Sequence, residues 1–175
     1  MAKILFVYST TDGHTKDICL RLKSAIELDQ HQVVLTSIKD CGEVELAAFD
    51  KIVIGASIRY GKHNPQVAAF IERNERILDS KPNAFFSVNV VARKPDKNRP
   101  DTNPYLKKFI RQINWRPQQL AVFAGKISYP KYRFFDRMMI RFIMWITKGP
   151  TDTRGVFEFT DWKKVDAFGQ LVSKM

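Results

Sequence analysis

The chain has 175 residues, 45% apolar and 12% aromatic, with 8 Gly, 8 Pro and no low-complexity tract, so residues 1–175 are expected to form one cored domain, which excludes a disordered chain and a disulfide-stapled miniprotein. Cys19 and Cys41 share no CxxC spacing and have no His pair nearby, which argues against a metal site and for two free thiols. The net charge of +11 is regional: residues 90–141 hold 13 Lys or Arg against three acids, a net +10 that needs an anionic partner, whether phosphate, an acidic small molecule or a membrane surface.

The first β-rich run, residues 3–8, is too short for a signal-peptide core and passes at once into polar loop residues, so the chain is expected on the cytoplasmic side. That loop, Ser9-Thr-Thr-Asp-Gly-His-Thr15, precedes a helical stripe over residues 15–29 carrying Ile18, Leu22, Ala25 and Ile26. Ser9, Thr10, Thr11, Asp12, Gly13, His14 and Thr15 read as a phosphate cradle: hydroxyls and amides at a helix N-terminus attract an anion, and Gly13 can take the positive φ that turns amides inward. It matches neither GxxxxGK[ST] nor GxGxxG, which disfavours ATP or a dinucleotide. The bland alternative is an ordinary capped turn, with Asp12 or Thr15 as the cap.

Further apolar runs at residues 32–37, 51–56, 84–91 and 120–127 lack in-out alternation, as strands buried on both faces do. Asn64-Pro65 opens a helical stripe with Val67, Phe70, Ile71 and Ile77; Asn103-Pro104 repeats the device before residues 105–113; a last helix starts at Asp161. Alternation at this spacing predicts an α/β doubly wound parallel sheet of five strands. Residues 128–155 do not fit it. Because residues 156–160 read as a strand again, this segment is expected to interrupt the fifth strand as an insertion.

The loop after the third strand, Ser57, Ile58, Arg59, Tyr60 and Gly61, would lie at the ligand crevice, with Tyr60 placed to stack on a planar ring or simply to pack, and Arg59 to balance negative charge. In the insertion, residues 129–148 hold six of the 21 aromatics and three of the five Met. At 100° per residue Arg133, Arg137, Arg141 and Lys148 fall within an arc of about 80°, opposite Phe134, Phe135, Met138, Met139, Phe142, Ile143, Trp145 and Ile146. Such a face packs on its own sheet or meets a membrane interface or ligand. The densest apolar run is cut by Arg141, so no membrane span is expected.

The loop from Ser9 to Thr15 resembles the flavodoxin phosphate loop. With Gly55-Ala-Ser-Ile-Arg-Tyr-Gly61, Ser87-Val-Asn-Val-Val-Ala-Arg-Lys-Pro95, Tyr129-Pro-Lys-Tyr-Arg133 and Thr151-Asp-Thr-Arg154, nearly the whole chain resembles the flavodoxin-like, quinone-dependent protoporphyrinogen IX dehydrogenases of bacterial haem synthesis. The resemblance implies FMN as cofactor, a third flavin-contacting loop at Asn89, Val90, Val91 and Ala92, and electron transfer from protoporphyrinogen IX to menaquinone or ubiquinone. It also implies peripheral attachment to an anionic membrane surface, on the cytoplasmic side of the inner membrane. Arg93, Lys94, Arg133, Arg137 and Arg141 are then candidates for substrate propionates or head groups. No protein acid or base is nominated, no metal is expected, and nucleic-acid binding would explain the charge but not the loop. The competing reading is a flavodoxin-type electron carrier or another FMN quinone reductase; carriers of that kind are usually acidic, unlike this chain.

Overall fold

The computed structural model describes residues 1–175. Strands β1 (Lys3–Ser9), β2 (Gln32–Ser37), β3 (Lys51–Arg59), β5 (Asn83–Asn89) and β6 (Gln119–Ala124) form a parallel sheet in the order β2-β1-β3-β5-β6, and the two-residue β4 (Lys62–His63) turns back antiparallel onto β3. The five parallel strands match the sequence expectation. Two apolar layers cover the sheet. One joins Leu5, Ile54 and Phe85 to α2 (Pro65–Asp79) and α3 (Pro104–Gln112); the other joins Phe6, Val53 and Phe86 to α1 (His14–Glu27) and α5 (Trp162–Lys174). Strands sandwiched in this way have no wet face, which is why their apolar residues run continuously.

The expected caps are present: the side-chain oxygens of Asn64, Asn103 and Asp161 accept from the amides of Gln66, Leu106 and Lys163 at 2.9, 3.1 and 3.1 Å. Both cysteines are free and buried. Gly55 lies where β3 meets the Phe86 ring, and a Cβ there would enter it. Gly55→Ala is therefore expected to cost about 1–3 kcal/mol of stability, read from the denaturant midpoint at unchanged slope.

One expectation needs correction. The fifth parallel strand is not interrupted and resumed; it ends at Ala124. After Gly125 the chain forms β7 (Lys126–Ser128), which pairs antiparallel with β8 (Val156–Glu158) as a separate ribbon, Ile127 opposite Phe157. The Gly125 amide donates to Asn89 O, and Gly125 O accepts from the Phe159 amide, so the kink is fixed by hydrogen bonds on both sides. Between β7 and β8 a short turn at Tyr129–Lys131 leads into α4 (Phe134–Ile146). The insertion thus stands on its own two-stranded stem, with Ile127, Tyr129, Tyr132 and Met144 as a small core.

Candidate functional site

The carboxyl ends of β1, β3 and β5 open into a cavity of about 480 Å³, at the switch point where the strand order reverses. Its floor is the loop after β1. Gly13 adopts φ +90° and caps α1 with no side-chain bond, so neither Asp12 nor Thr15 is the cap that the bland reading required. A Cβ at Gly13 would touch nothing, so conformation and not space demands glycine there. Thr10 Oγ1 accepts from the Gly13 amide at 3.0 Å, which folds the loop back on itself. Thr15 is fully buried, lines the cavity, and its hydroxyl has no partner. A buried hydroxyl costs free energy until something accepts its proton. Together with the α1 N-terminus, this donor set fits a phosphate group.

The second wall is a hairpin. Arg59 pairs with Lys62 across Tyr60 and Gly61, whose φ values of +49° and +76° are both left-handed, the backbone of a two-residue hairpin turn that follows right-handed strand twist. Gly61 takes that conformation freely, whereas Tyr60 does so under strain. Arg59 Nη2 reaches both carboxylate oxygens of Asp12 at 2.7 Å, tying the hairpin to the floor loop. Its guanidinium also lies 5.1 Å from the Tyr132 ring centroid. The Arg59 charge is thus already matched by Asp12. Tyr60, half exposed, donates its hydroxyl to Asp136 of α4, and that bond raises its pKa.

The third wall follows β5. Asn89 Oδ1 accepts from the Ala92 amide and from Asn103 Nδ2 at 3.1 and 3.0 Å, while its Nδ2 donates to Ser87 Oγ, which meets His63 Nε2 at 3.0 Å. This buried chain holds the turn at Val90–Arg93. Burial depresses the His63 pKa to about 4. A histidine whose folded pKa lies below its unfolded value near 6.5 contributes stability above pH 6.5 that is lost as pH falls toward 4. Acid is therefore expected to cost roughly 2–3 kcal/mol over that window through this residue, and urea titrations of His63→Asn should lack that component.

The roof is α4. Ile140, Ile143 and Met144 face the cavity together with Met139. On the outer side, Phe134, Phe135, Met138, Phe142, Trp145 and Ile146 are exposed, Phe135 at 82% and Trp145 at 70%. With Met139 they span about 140° of helix surface at 100° per residue, and Arg141 lies along one edge. The sequence placed Ile143 on that apolar face; the structure turns it inward. The helix packs by its narrow arc and leaves its wide apolar arc without a partner.

Of the residues nominated from sequence, Thr10, Thr11, Asp12, His14, Thr15, Ser57, Ile58, Arg59, Tyr60, Gly61, Asn89, Val90 and Val91 line this one cavity. Ser9 and Ala92 are buried beside it and Gly13 contributes backbone. Arg93 does not point outward as a free cation: its guanidinium donates to Val90 O, Thr147 O and Thr147 Oγ1 and so pins the end of α4. Arg137 donates to Tyr132 O at 3.2 Å, whereas Arg133 and Arg141 are exposed and Lys94 is partly so. Sequence reasoning missed Tyr105, Gly125, Lys126, Tyr132 and the inward residues of α4. The three- and four-residue spacing of Asp136, Met139, Ile140, Ile143 and Met144 carried a signal for the last of these. Nothing in the sequence marked Lys126.

A model of the flavodoxin domain family matches residues 5–154. Protoporphyrinogen IX dehydrogenase (quinone) of Escherichia coli strain K12 is 40% identical over 173 residues, covering 99% of this chain and 96% of the relative. The protein of the same name from Leishmania major is 44% identical over 168 residues, covering 95% of this chain and 72% of its own. Among solved structures, oxidised Flavodoxin 2 from Bacillus cereus superposes with a TM-score of 0.58 at 19% identity, over 99% of each chain, a likeness of fold.

Proposed function

The chain belongs to the flavodoxin domain family, in company with the protoporphyrinogen IX dehydrogenases (quinone), and we propose that it oxidises protoporphyrinogen IX to protoporphyrin IX with FMN and passes the electrons to a membrane quinone. The observation that carries this reading is the pairing of a phosphate-type floor, Thr10 to Thr15, with an apolar roof, Ile140 to Met144, over a single cavity. When bound, the flavin supplies the two-electron chemistry, and three such steps remove the six hydrogens that separate porphyrinogen from porphyrin.

The rest falls to the chain's own residues. The loop from Ser9 to Thr15 holds the phosphate, with Thr15 Oγ1 as a donor kept ready by burial. The hairpin from Ser57 to Gly61 and the turn from Asn89 to Ala92 flank the ring, and the Arg59–Asp12 pair fixes their spacing to the floor. Ile140, Ile143 and Met144 exclude water from above. Arg133, Arg141 and Lys94 are the cations left to meet substrate propionates or head groups.

No helix is long and apolar enough to cross a membrane. The exposed arc of α4 supports attachment from one side, with its aromatic and Met side chains in the interface and Arg141 toward anionic head groups. Residues 1–175 act on this reading as one flavodoxin-like unit, with residues 128–155 as the membrane-facing insertion. A soluble electron carrier has no use for such a face.

The function is tested by mixing the flavin-loaded protein anaerobically with protoporphyrinogen IX. With the flavin in at least threefold molar excess, bleaching of three flavins for each porphyrin formed is expected. Porphyrin formation without bleaching, at the rate seen without protein, would overturn the proposal.

A further inference from the structure

His14, the first residue of α1, lines the cavity beside Thr15 and is 8% exposed. Its Nε2 meets Thr160 Oγ1 at 2.6 Å, and the Thr160 hydroxyl donates to Ala124 O at 2.8 Å. Because that hydroxyl proton is already committed, Thr160 can only accept from His14, which places the ring hydrogen of the neutral form on Nε2. Nδ1 is then a bare lone pair, buried without a hydrogen-bond partner, 3.7 Å from a carboxylate oxygen of Asp17. Two acceptors face one another. A proton on Nδ1 would turn that confrontation into an ion pair and satisfy both ring nitrogens.

The charges around the ring decide when this happens. Burial disfavours the imidazolium and holds the His14 pKa below its ordinary value, and Lys126 of β7 acts in the same sense. Glu158 of β8 and Asp17 of α1 favour the cation, and the edge of Trp162 from α5 closes the remaining side. Burial, the largest of these effects, therefore favours the neutral ring in the free protein. A phosphate dianion at the adjoining loop would add a further negative charge next to it.

We propose that His14 is a proton-linked phosphate-binding residue: as the dianionic phosphate of FMN enters the loop, Nδ1 takes up one proton from solvent, giving an imidazolium held between Asp17 and Thr160 that offsets the phosphate charge. The inference rests on the FMN reading above and adds to it a specific cation and a pH dependence. Linkage makes the effect reciprocal, since a ligand that raises the affinity for a proton binds more tightly where the proton is more abundant. The loss of FMN affinity above neutrality then belongs to this ring. Its partner Thr160 comes from the far side of the insertion, 146 residues away in sequence, so the stem of the insertion tunes the phosphate site.

Isothermal titration of the full chain, stripped of flavin, in two buffers of different ionisation enthalpy at pH 7 counts the protons taken up. The parent is expected to take up protons with FMN and none with riboflavin, which lacks the phosphate. FMN affinity should fall with rising pH above neutrality by up to about tenfold per unit, the limit for one proton. His14→Asn should abolish uptake and flatten the profile. Asp17→Asn, a change at an exposed side chain that leaves the core intact, should diminish uptake and so keeps the test open if the first variant fails to fold. Equal affinity for FMN and riboflavin would overturn the phosphate-loop reading itself. Tighter FMN binding with no proton uptake, or with uptake unchanged in His14→Asn, would overturn the role of His14 and leave the loop in place.

Discussion

Replacing Phe135, Phe142 and Trp145 together with Ser is expected to lower binding to anionic vesicles by roughly 30-fold or more, with folding stability within about 1 kcal/mol of the parent. The three side chains are 82%, 54% and 70% exposed, so the folded chain gains little from them. Fully burying an aromatic side chain is worth roughly 1.5–3 kcal/mol, so half-burial of three in an interface amounts to about 2–5 kcal/mol. Vesicle co-sedimentation reads the first effect and urea unfolding the second. Exchanging the flanking cations Arg133, Arg141 and Lys148 for Glu should weaken binding in the same sense as added salt. Arg137 is better spared, because its guanidinium holds Tyr132 O. Unchanged vesicle binding in both variants, or a large loss of stability in the first, would mean that α4 is a structural helix and that the basic block is a solvated face.

The second large effect concerns the floor of the site. Thr15→Val keeps the shape of the side chain and removes a buried hydroxyl that has no partner in the protein. FMN affinity should fall by roughly 10- to 100-fold, the worth of a hydrogen bond to a charged group. Stability without flavin should stay level or rise, because the desolvated hydroxyl is gone. Adding Thr10→Val also removes the acceptor of the Gly13 amide and should bring the loss to at least a hundredfold. Riboflavin affinity should hardly change. Fluorescence titration with both flavins separates these outcomes, and equal losses for the two would point to a collapsed loop instead of a lost phosphate contact.

The parallel sheet was legible because residues 3–8, 51–56 and 84–88 carry apolar side chains on both faces in runs too short for a helix, as sandwiched strands do. The Asn-Pro caps were legible because capping is local chemistry, complete within three residues. The stem of the insertion was not. Its β7–β8 pairing rests on three residue pairs about 30 positions apart, too short for any local pattern to announce, and the break at Gly125 is set by bonds to Asn89 and Phe159. The amphipathicity of α4 was plain, but periodicity says only that a helix has two faces. Which face turns inward was decided by the stem, which presents Ile140, Ile143 and Met144 to the cavity. The Arg59–Asp12 and His14–Thr160 contacts were invisible for the same reason, since each joins residues that only the completed fold brings together.

On the proposed function, the floor loop and the apolar roof of α4 make one route from porphyrinogen to a quinone in lipid, and counting molecules tests that route most directly. The flavin-loaded protein is incubated without oxygen on anionic vesicles containing menaquinone, protoporphyrinogen IX is added, and porphyrin formed and quinone reduced are measured together. Three quinones reduced for each porphyrin, faster with vesicle-borne quinone than with vesicles lacking it and slowed by the Phe135, Phe142 and Trp145 replacements, is the predicted result. Porphyrin accumulating with no quinone reduced, or at the same rate whether or not the vesicles carry quinone, would contradict it.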